Sequence, residues 1–517
     1  LKTPLARNKR LVLAITGIIV VVSILSAFIM ASNYKLSLSK GDNKPSSVST
    51  PFYIGVTYCG NSVTEAKQLI DKVKNYTNLF VIQSGPLISR QDATQEICDY
   101  AVNAGLNIIL YYSNNGLVGT YLPLINNAEA RWGSKFIGIY YDDEPGGKML
   151  DGSVMLYDNI TGKTVNKDKD GLQVSYFSRE SNKMTLYNYK FSSSGEIIVY
   201  ISTTYPDRSS QSNMTTYFTN GTISFSTVMS ANGTVTPEEP LWYYPSGIVK
   251  NKSGVIATGK GDISQFAPYS QVWNLRPLQT YTETANLYAN ARYHVLSNIG
   301  NQSNIKLFTA DYGLYWFDYK AGYDTVFAEL GWNNNPAQEI ALVRGAANMQ
   351  NKEWGTMITW QSNNAPYLQS GSQIYDEMRL SYQSGAKYVI VFNYTPDDNP
   401  LGIAGNGTRV ENGVGLLQGE HFAAIQRFWT EIVHAKETNN IAAEAALVLP
   451  KDYGWGMRNR YDTIWGLWKT DNNSEKIWAQ LQNKLAQYGS KLDIVYDDPA
   501  YPLSGKYSQI YYWNQTE

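Results

Sequence analysis

The densest chemistry in the chain is a run of three carboxylates, Asp142, Asp143 and Glu144, followed at once by Pro145, Gly146 and Gly147. Acids crowded together repel one another, which raises a pKa and suits a proton donor. The run follows Phe136–Tyr141, an apolar stretch that reads as a strand. Strand alternation then puts Tyr140, Asp142 and Glu144 on one face and Asp143 on the other. Pro145 and the glycines end the strand and hold Glu144 at its rim. A solvated acidic turn, or an acid paired with an arginine, would use the same residues.

Two further acids follow apolar runs in the same way: Glu329 after Val326-Phe327-Ala328, and Asp311 after Leu307–Ala310. A pair of carboxyls facing each other can act as acid and nucleophile, or as acid and base. A gap of about 5–5.5 Å implies retention of configuration and roughly 6.5–9.5 Å implies inversion. The blander alternative is a buried structural acid bonded to a loop. Aromatic residues gather after the same runs: Tyr312, Tyr315, Trp316, Trp332, Trp360, Tyr367 and Tyr394. Their rings could stack on sugar faces or simply pack the loops. Tyr58, Tyr140, Gln361 and Asn393 also stand at strand ends and complete the candidate contact set.

The elements that must position these groups are strands alternating with helices. The strands read Phe52–Thr57, Leu79–Gln83, Asn107–Tyr112, Phe136–Tyr141, Lys306–Ala310, Thr325–Glu329, Gly355–Trp360 and Lys387–Phe392. Helical periodicity lies between most of them, as in Val63–Lys74, Ala93–Ala104, Ala337–Gln350, Gln373–Ser384 and Glu420–His434. This alternation predicts a (β/α)8 TIM barrel over residues 52–436, with a doubly wound sheet as the alternative. In such a barrel the strand ends form the active face, which is where the acids fall. Between 146 and 271 helix gives way to period-2 runs such as Met184–Phe191 and Glu196–Thr203, separated by Gly, Asn, Ser and Asp. They predict an all-β insertion after strand 4. Residues 441–517 read as a small flavodoxin-like α/β domain with a structural role.

The N-terminal region carries a different signal. Arg7, Lys9 and Arg10 form a basic flank over residues 1–10, and Leu11–Ala31 has no charge. That run is long enough to cross a hydrocarbon core of roughly 30 Å as a transmembrane helix. The basic flank predicts a single-pass cell-membrane protein with an extracellular ectodomain. A cleaved signal peptide, with its shorter apolar region, is the alternative, and it exports the rest as well. Residues 32–51 read as a flexible stalk. Asn-X-Ser/Thr triplets recur from Asn75 to Asn514 and crowd between Asn159 and Asn251, as in a glycoprotein. The expected partners are therefore a carbohydrate and, through the N-terminal helix, the lipid bilayer.

A formal net charge of −1 with mixed signs gives no basic patch for nucleic acid. The 40 tyrosines suit neutral polar ligands. His294, His421 and His434 lack metal-ligand spacing, and no phosphate-binding glycine loop is present, so neither metal nor cofactor is expected. Cys59 ends the first strand but has no evident base beside it. With Cys98 it could form one bridge, although two buried thiols are the simpler reading.

Asp143-Glu144-Pro145 at the fourth strand resembles the Asn-Glu-Pro tip of the large retaining glycoside hydrolase clan. That resemblance implies glycosidic bond cleavage with Glu144 as acid/base. Asp143 stands where the clan has Asn, and the seventh strand ends in Trp360-Gln361, without the clan's nucleophile. Phe136–Glu144 also resembles the chitinase-type Asp-x-Glu tip, through Asp142 and Glu144, although Ile137 and Tyr140 replace its other aspartates. A third pattern, similar to α-galactosidase-like barrels, places carboxylates on strands four and six, here Glu144 and Glu329. Asp142, Asp143 and Asp311 are then pKa-tuning or sugar-binding partners. The segments Asp142–Gly147 and Ala310–Trp316 also resemble uncharacterised archaeal membrane-anchored extracellular proteins. The reading is a two-carboxylate glycoside hydrolase, and its rival is a non-catalytic envelope scaffold or glycan-binding protein on a degenerate barrel.

Overall fold

A computed structural model describes residues 51–515 apart from 89, 113–117, 153, 159–160, 181, 232–233, 260–262, 304, 362–366, 394–415 and 436–440. The anchor, the stalk and Tyr394 lie outside the described residues. Among the described residues no helix is long and apolar enough to cross a membrane.

Eight parallel strands close into a barrel. They are β1 (Tyr53–Tyr58), β2 (Leu79–Ile82), β3 (Asn107–Tyr112), β4 (Phe136–Tyr141), β5 (Lys306–Asp311), β6 (Thr325–Leu330), β7 (Glu353–Ile358) and β8 (Tyr388–Val391). β8 pairs with β1 to close the ring, and β5 pairs directly with β4 across the long gap in sequence. These strands are apolar throughout because both faces are covered, one by helices and one by the barrel's own interior.

Strand parity decides what points where. The interior holds Leu79, Val81, Ile109, Tyr140, Phe308, Ala310, Phe327, Met357, Tyr388 and Ile390. Its aromatic rings interlock, with Phe308 5.6 Å from Phe327 and 5.4 Å from Tyr388. The other face of each strand packs on helices that surround the barrel. These include α1 (Val63–Val73), α2 (Gln91–Asn103), α3 (Val118–Trp132), α4 (Pro145–Asp151), α5 (Tyr281–Ser303), α6 (Tyr315–Ala321), α7 (Pro336–Gln350), α8 (Gly371–Gln383) and α9 (Gly419–Phe428). Local chemistry sets their starts. Ser62 caps α1, Asn335 caps α7 ahead of Pro336, and Ser370 with Gln373 forms a capping box on α8.

After the short helix α4 the chain builds an eleven-stranded antiparallel sheet between Val154 and Ala257. Its buried residues include Leu172, Val174, Phe191, Ile197, Val199 and Tyr217, and Phe191 packs edge-on against Trp273 at 6.0 Å. The chain then re-enters the barrel through α5.

The C-terminal module is a three-stranded parallel sheet of β9 (Ala445–Leu449), β10 (Leu492–Tyr496) and β11 (Gln509–Tyr512), with β9 central and helix α10 (Asn472–Tyr488). It docks on α7. Arg344 reaches Asp493 at 2.7 Å and also donates to the Ser490 and Leu492 carbonyls. Cys59 and Cys98 are both buried thiols and are not joined in a disulfide.

Candidate active site

β4 ends at Tyr141, and the next residues abandon strand geometry. Asp142 and Glu144 both take left-handed backbone, each with φ of 53°. Alternation therefore fails at the tip. Asp143, expected on the far face, turns inward, where it accepts from the Tyr140 hydroxyl and from Gln83 Nε2 at 3.3 Å. Asp142 instead turns toward the helix layer, where its charge acts on Arg292 and Tyr323. The face-sharing predicted for Tyr140, Asp142 and Glu144 is thus corrected, because positive φ rotates each following side chain.

Glu144 lines a cleft of 550 Å³ with Asp151, Tyr312, Trp332, Asn334, Arg458 and Asn459. Its side chain is 27% exposed, and its carboxyl stands 3.8 Å from Lys148 Nζ. Burial, then the neighbouring Asp143, push its pKa up to about 8, against the opposing pull of Lys148. Glu329 extends the inward row of β6 beyond Phe327 and is 4% exposed. Burial and the charge of Glu144 hold its pKa well above the usual carboxylate range. Asp143 is also raised, mainly by burial. The structure therefore brings Glu144, Asp143 and Glu329 into one electrostatic group, with Glu144 in the cleft wall and Glu329 behind it.

Asp311 is placed differently. Inward parity on β5 belongs to Phe308 and Ala310, so Asp311 points into the helix layer and is fully buried. It accepts from four backbone N–H groups, those of Gly146, Gly147 (2.8 Å), Tyr312 (2.8 Å) and Gly313 (3.2 Å). Those donors hold both oxygens among backbone amides, away from the cleft. A direct substrate contact for Asp311 is excluded by that burial.

The aromatic candidates divide in the same manner. Tyr312 faces the cleft, donates to Asp151 Oδ2 at 2.8 Å and lies beneath the Arg458 guanidinium. Trp332 is 37% exposed and packs against Trp360, which in turn meets Tyr367. Gln361 is half-buried and donates its backbone N–H to the Tyr367 carbonyl. Tyr140 is buried in the barrel interior, with its hydroxyl on Asp143.

Four rim assignments are corrected. Tyr58 points outward and its hydroxyl is held by Ser62. Tyr315 is buried, with its hydroxyl on Glu339 at 2.6 Å. Trp316 packs against Tyr496 and Tyr501 of the C-terminal module. Asn393, also a glycosylation triplet, is buried and accepts from the Leu417 N–H at 2.9 Å.

Arg458 and Asn459 were not legible as site residues. They lie on the connection between β9 and α10, in the module expected to be purely structural. Arg458 grips Asp462 with a two-pronged pair of 2.8 Å bonds and reaches Asp151 at 2.7 Å. The network Tyr312–Asp151–Arg458–Asp462 fixes one wall of the cleft. The only local signal was the run Gly454-Trp455-Gly456-Met457-Arg458, which is glycine- and tryptophan-rich without being apolar. Gln83 was read as the end of strand two, and its bond to Asp143 depends on β2 and β4 converging inside the barrel. Among the described residues no cluster of His, Cys, Asp or Glu is arranged to hold a metal ion.

No protein-family profile and no curated protein matches the chain. Among solved structures, a GH5_18 protein of Bifidobacterium longum subsp. longum in complex with Manβ1-4GlcNAc aligns at 9% identity and a TM-score of 0.44, covering 90% of this chain and 96% of that one. A β-1,4-D-mannanase of Cryptopygus antarcticus aligns at 10% identity and a TM-score of 0.34, covering 74% and 90%. Neither structure speaks to an archaeal or membrane-anchored origin. The barrel itself stands on its strand pairing.

Proposed function

We propose that the chain is a glycoside hydrolase that uses Glu144 as proton donor and Glu329 as its second carboxylate. The observation that carries this reading is the partly exposed Glu144 carboxyl in a cleft, with its pKa raised to about 8. At neutral pH it holds a proton, as a general acid must. Glu329 stands on β6, two strands along the barrel from β4, and is coupled to Glu144 by charge. Burial favours the protonated form of Glu329, so it must give up that proton to solvent before it can act as the second carboxylate. Positive charge developing on a sugar ring in the transition state would favour its ionised form. Tyr312 and Trp332 offer aromatic surface on either side, and Asn334 and Asn459 offer amides to sugar hydroxyls.

The same reading sets the cleft outside the cell, tethered by Leu11–Ala31, with a carbohydrate as substrate and the bilayer as the anchor's partner. Its support is the uncharged run behind a basic flank. Membrane fractionation of cells expressing the full chain, with protease applied from outside, tests that placement. Recovery in the soluble fraction with protection from protease would remove it.

A second reading, a glycan-binding protein without turnover, is favoured by one observation: Glu329 is almost wholly buried and does not line the cleft. Reducing-end release from polysaccharides, N-glycans and aryl glycosides, by the wild type and Glu144→Gln, separates the two. Turnover abolished in the variant supports the hydrolase. Sugar binding by both proteins without turnover supports the receptor.

A further inference from the structure

Behind Glu144 lies a second pair of acids with no place in the hydrolysis scheme. Asp311 at the tip of β5 and Asp318 on α6 are both fully buried, and their carboxyls are within hydrogen-bonding reach of each other. Two carboxylates cannot form that bond; one must carry a proton. Asp311 already accepts four backbone N–H groups, an arrangement that stabilises the anion. Among the described residues Asp318 accepts the Tyr288 hydroxyl alone, at 2.5 Å on Oδ1, and no donor points at its buried Oδ2. A proton on Asp318 Oδ2, donated to Asp311, satisfies both residues at once.

The bonds of Asp311 reach the candidate acid itself. Gly146 and Gly147 directly follow Glu144-Pro145, and their N–H groups open helix α4. A Cβ at Gly146 would overlap the Gly313 carbonyl, and one at Gly147 would overlap the Tyr312 ring. The two strand tips are therefore pressed together, and the Asp311 carboxylate is the clasp. Glu144, in its left-handed conformation, is separated from that clasp by Pro145 alone.

We propose that Asp311 and Asp318 share one proton, carried by Asp318, and that this pair is the positioning device that sets Glu144 in the cleft. Neither residue touches substrate. The proposal uses the preceding functional reading only in giving Glu144 its role. The charged groups facing the pair are Arg292 from α5, Asp142 and Glu144 from the β4 tip, Glu329 from β6 and Glu339 from α7. The tyrosines Tyr288, Tyr312, Tyr315, Tyr319 and Tyr323 also face it, and burial keeps them neutral. Arg292 is the sole cation in this set. It stacks on Tyr288 at 4.0 Å, and its charge pulls against a proton on Asp318; the four N–H groups on Asp311 are the stronger hold and decide the assignment.

Two amide substitutions test the assignment on the folded ectodomain without any substrate. In Asp318→Asn the amide N–H replaces the acid O–H, so the melting temperature at pH 7 should stay within a few degrees of wild type. In Asp311→Asn a donor replaces an acceptor among four N–H groups, so melting should fall by more than about 5 °C. The infrared difference spectrum between wild type and Asp318→Asn should show the loss of one carboxylic-acid C=O component, over the components of the other buried acids that remain. The Glu144 midpoint, followed by carboxyl 13C NMR, should hold near its wild-type value in Asp318→Asn. It should move toward the ordinary carboxylate range in Asp311→Asn, where a neighbouring charge is lost. Tolerance of Asp311→Asn with destabilisation by Asp318→Asn would place the proton on Asp311 and overturn the proposal. So would a Glu144 midpoint that neither substitution moves. If Asp311→Asn does not fold, a carboxylic-acid C=O intensity that is undiminished in Asp318→Asn would overturn the proposal. None of these readings depends on turnover, so a protein that hydrolyses nothing can still confirm the pair.

Discussion

Glu144 and Asp311 stand at the tips of neighbouring strands, follow similar apolar runs and are both pushed above the usual carboxylate range by burial. Their surroundings differ in donors. Asp311 has four backbone N–H groups, whereas Glu144 has only the Lys148 ammonium, at 3.8 Å. At Asp311 the amide donors oppose the push of burial, and on the pairing proposed above they leave it the anion of the Asp311–Asp318 pair. A half-buried acid left without them keeps a proton that it can give away. Burial alone does not separate a catalytic acid from a clasp; the donor count does.

The comparison can be broken most decisively at Glu144. Under the hydrolase reading Glu144→Gln should lower turnover by roughly 10²–10⁴-fold, measured by reducing-end release, while the melting temperature at neutral pH is kept. A variant that unfolds would make Glu144 a second structural acid. Next in size is the clasp's backbone. Gly146→Ala should cost about 1–3 kcal/mol in chemical denaturation, because its methyl meets the Gly313 carbonyl. Gly85→Ala, with open space around the new methyl, should be close to neutral.

The same contrast has a pH signature. The folded-state pKa of Glu144 is raised from 4.5 to about 8, so its contribution is complete below the ordinary carboxylate range and is lost as pH rises through about 8. Denaturation between pH 5 and 9 should show wild-type stability falling over that window and a shallower fall in Glu144→Gln. Parallel curves would deny the raised pKa. The smallest effect concerns the rim. Trp332→Ala should weaken glycan binding by about tenfold with little change in turnover at saturation, read by titration calorimetry.

The barrel was legible because its strands are apolar runs of the right length between helical periods, a signal carried by local sequence. The site was legible only where parity persisted. Glu329 continues the inward row of β6, and the neighbourhood of Glu144 follows from the β4 run. Parity also shows why Asp311 and Tyr58 were misplaced: each falls one residue out of step with its strand's inward set, and treating all strand ends alike concealed it. The inward turn of Asp143 needed the positive φ at Asp142, which aspartate tolerates but does not announce. Trp316 and Arg458 were beyond local reading, because their partners lie across the barrel–module contact.

The β9–α10 connection has a consequence in time. Residues 52–393 contain every barrel strand, yet Arg458 and Asn459 come later in the chain. During synthesis the barrel can therefore close around its aromatic interior while the cleft still lacks a wall. The ribosome must deliver the small parallel sheet before Tyr312 and Asp151 are pinned. A nascent chain, or one clipped after the barrel, would carry Glu144 without its full setting, so the cleft is completed by the last-made part of the chain.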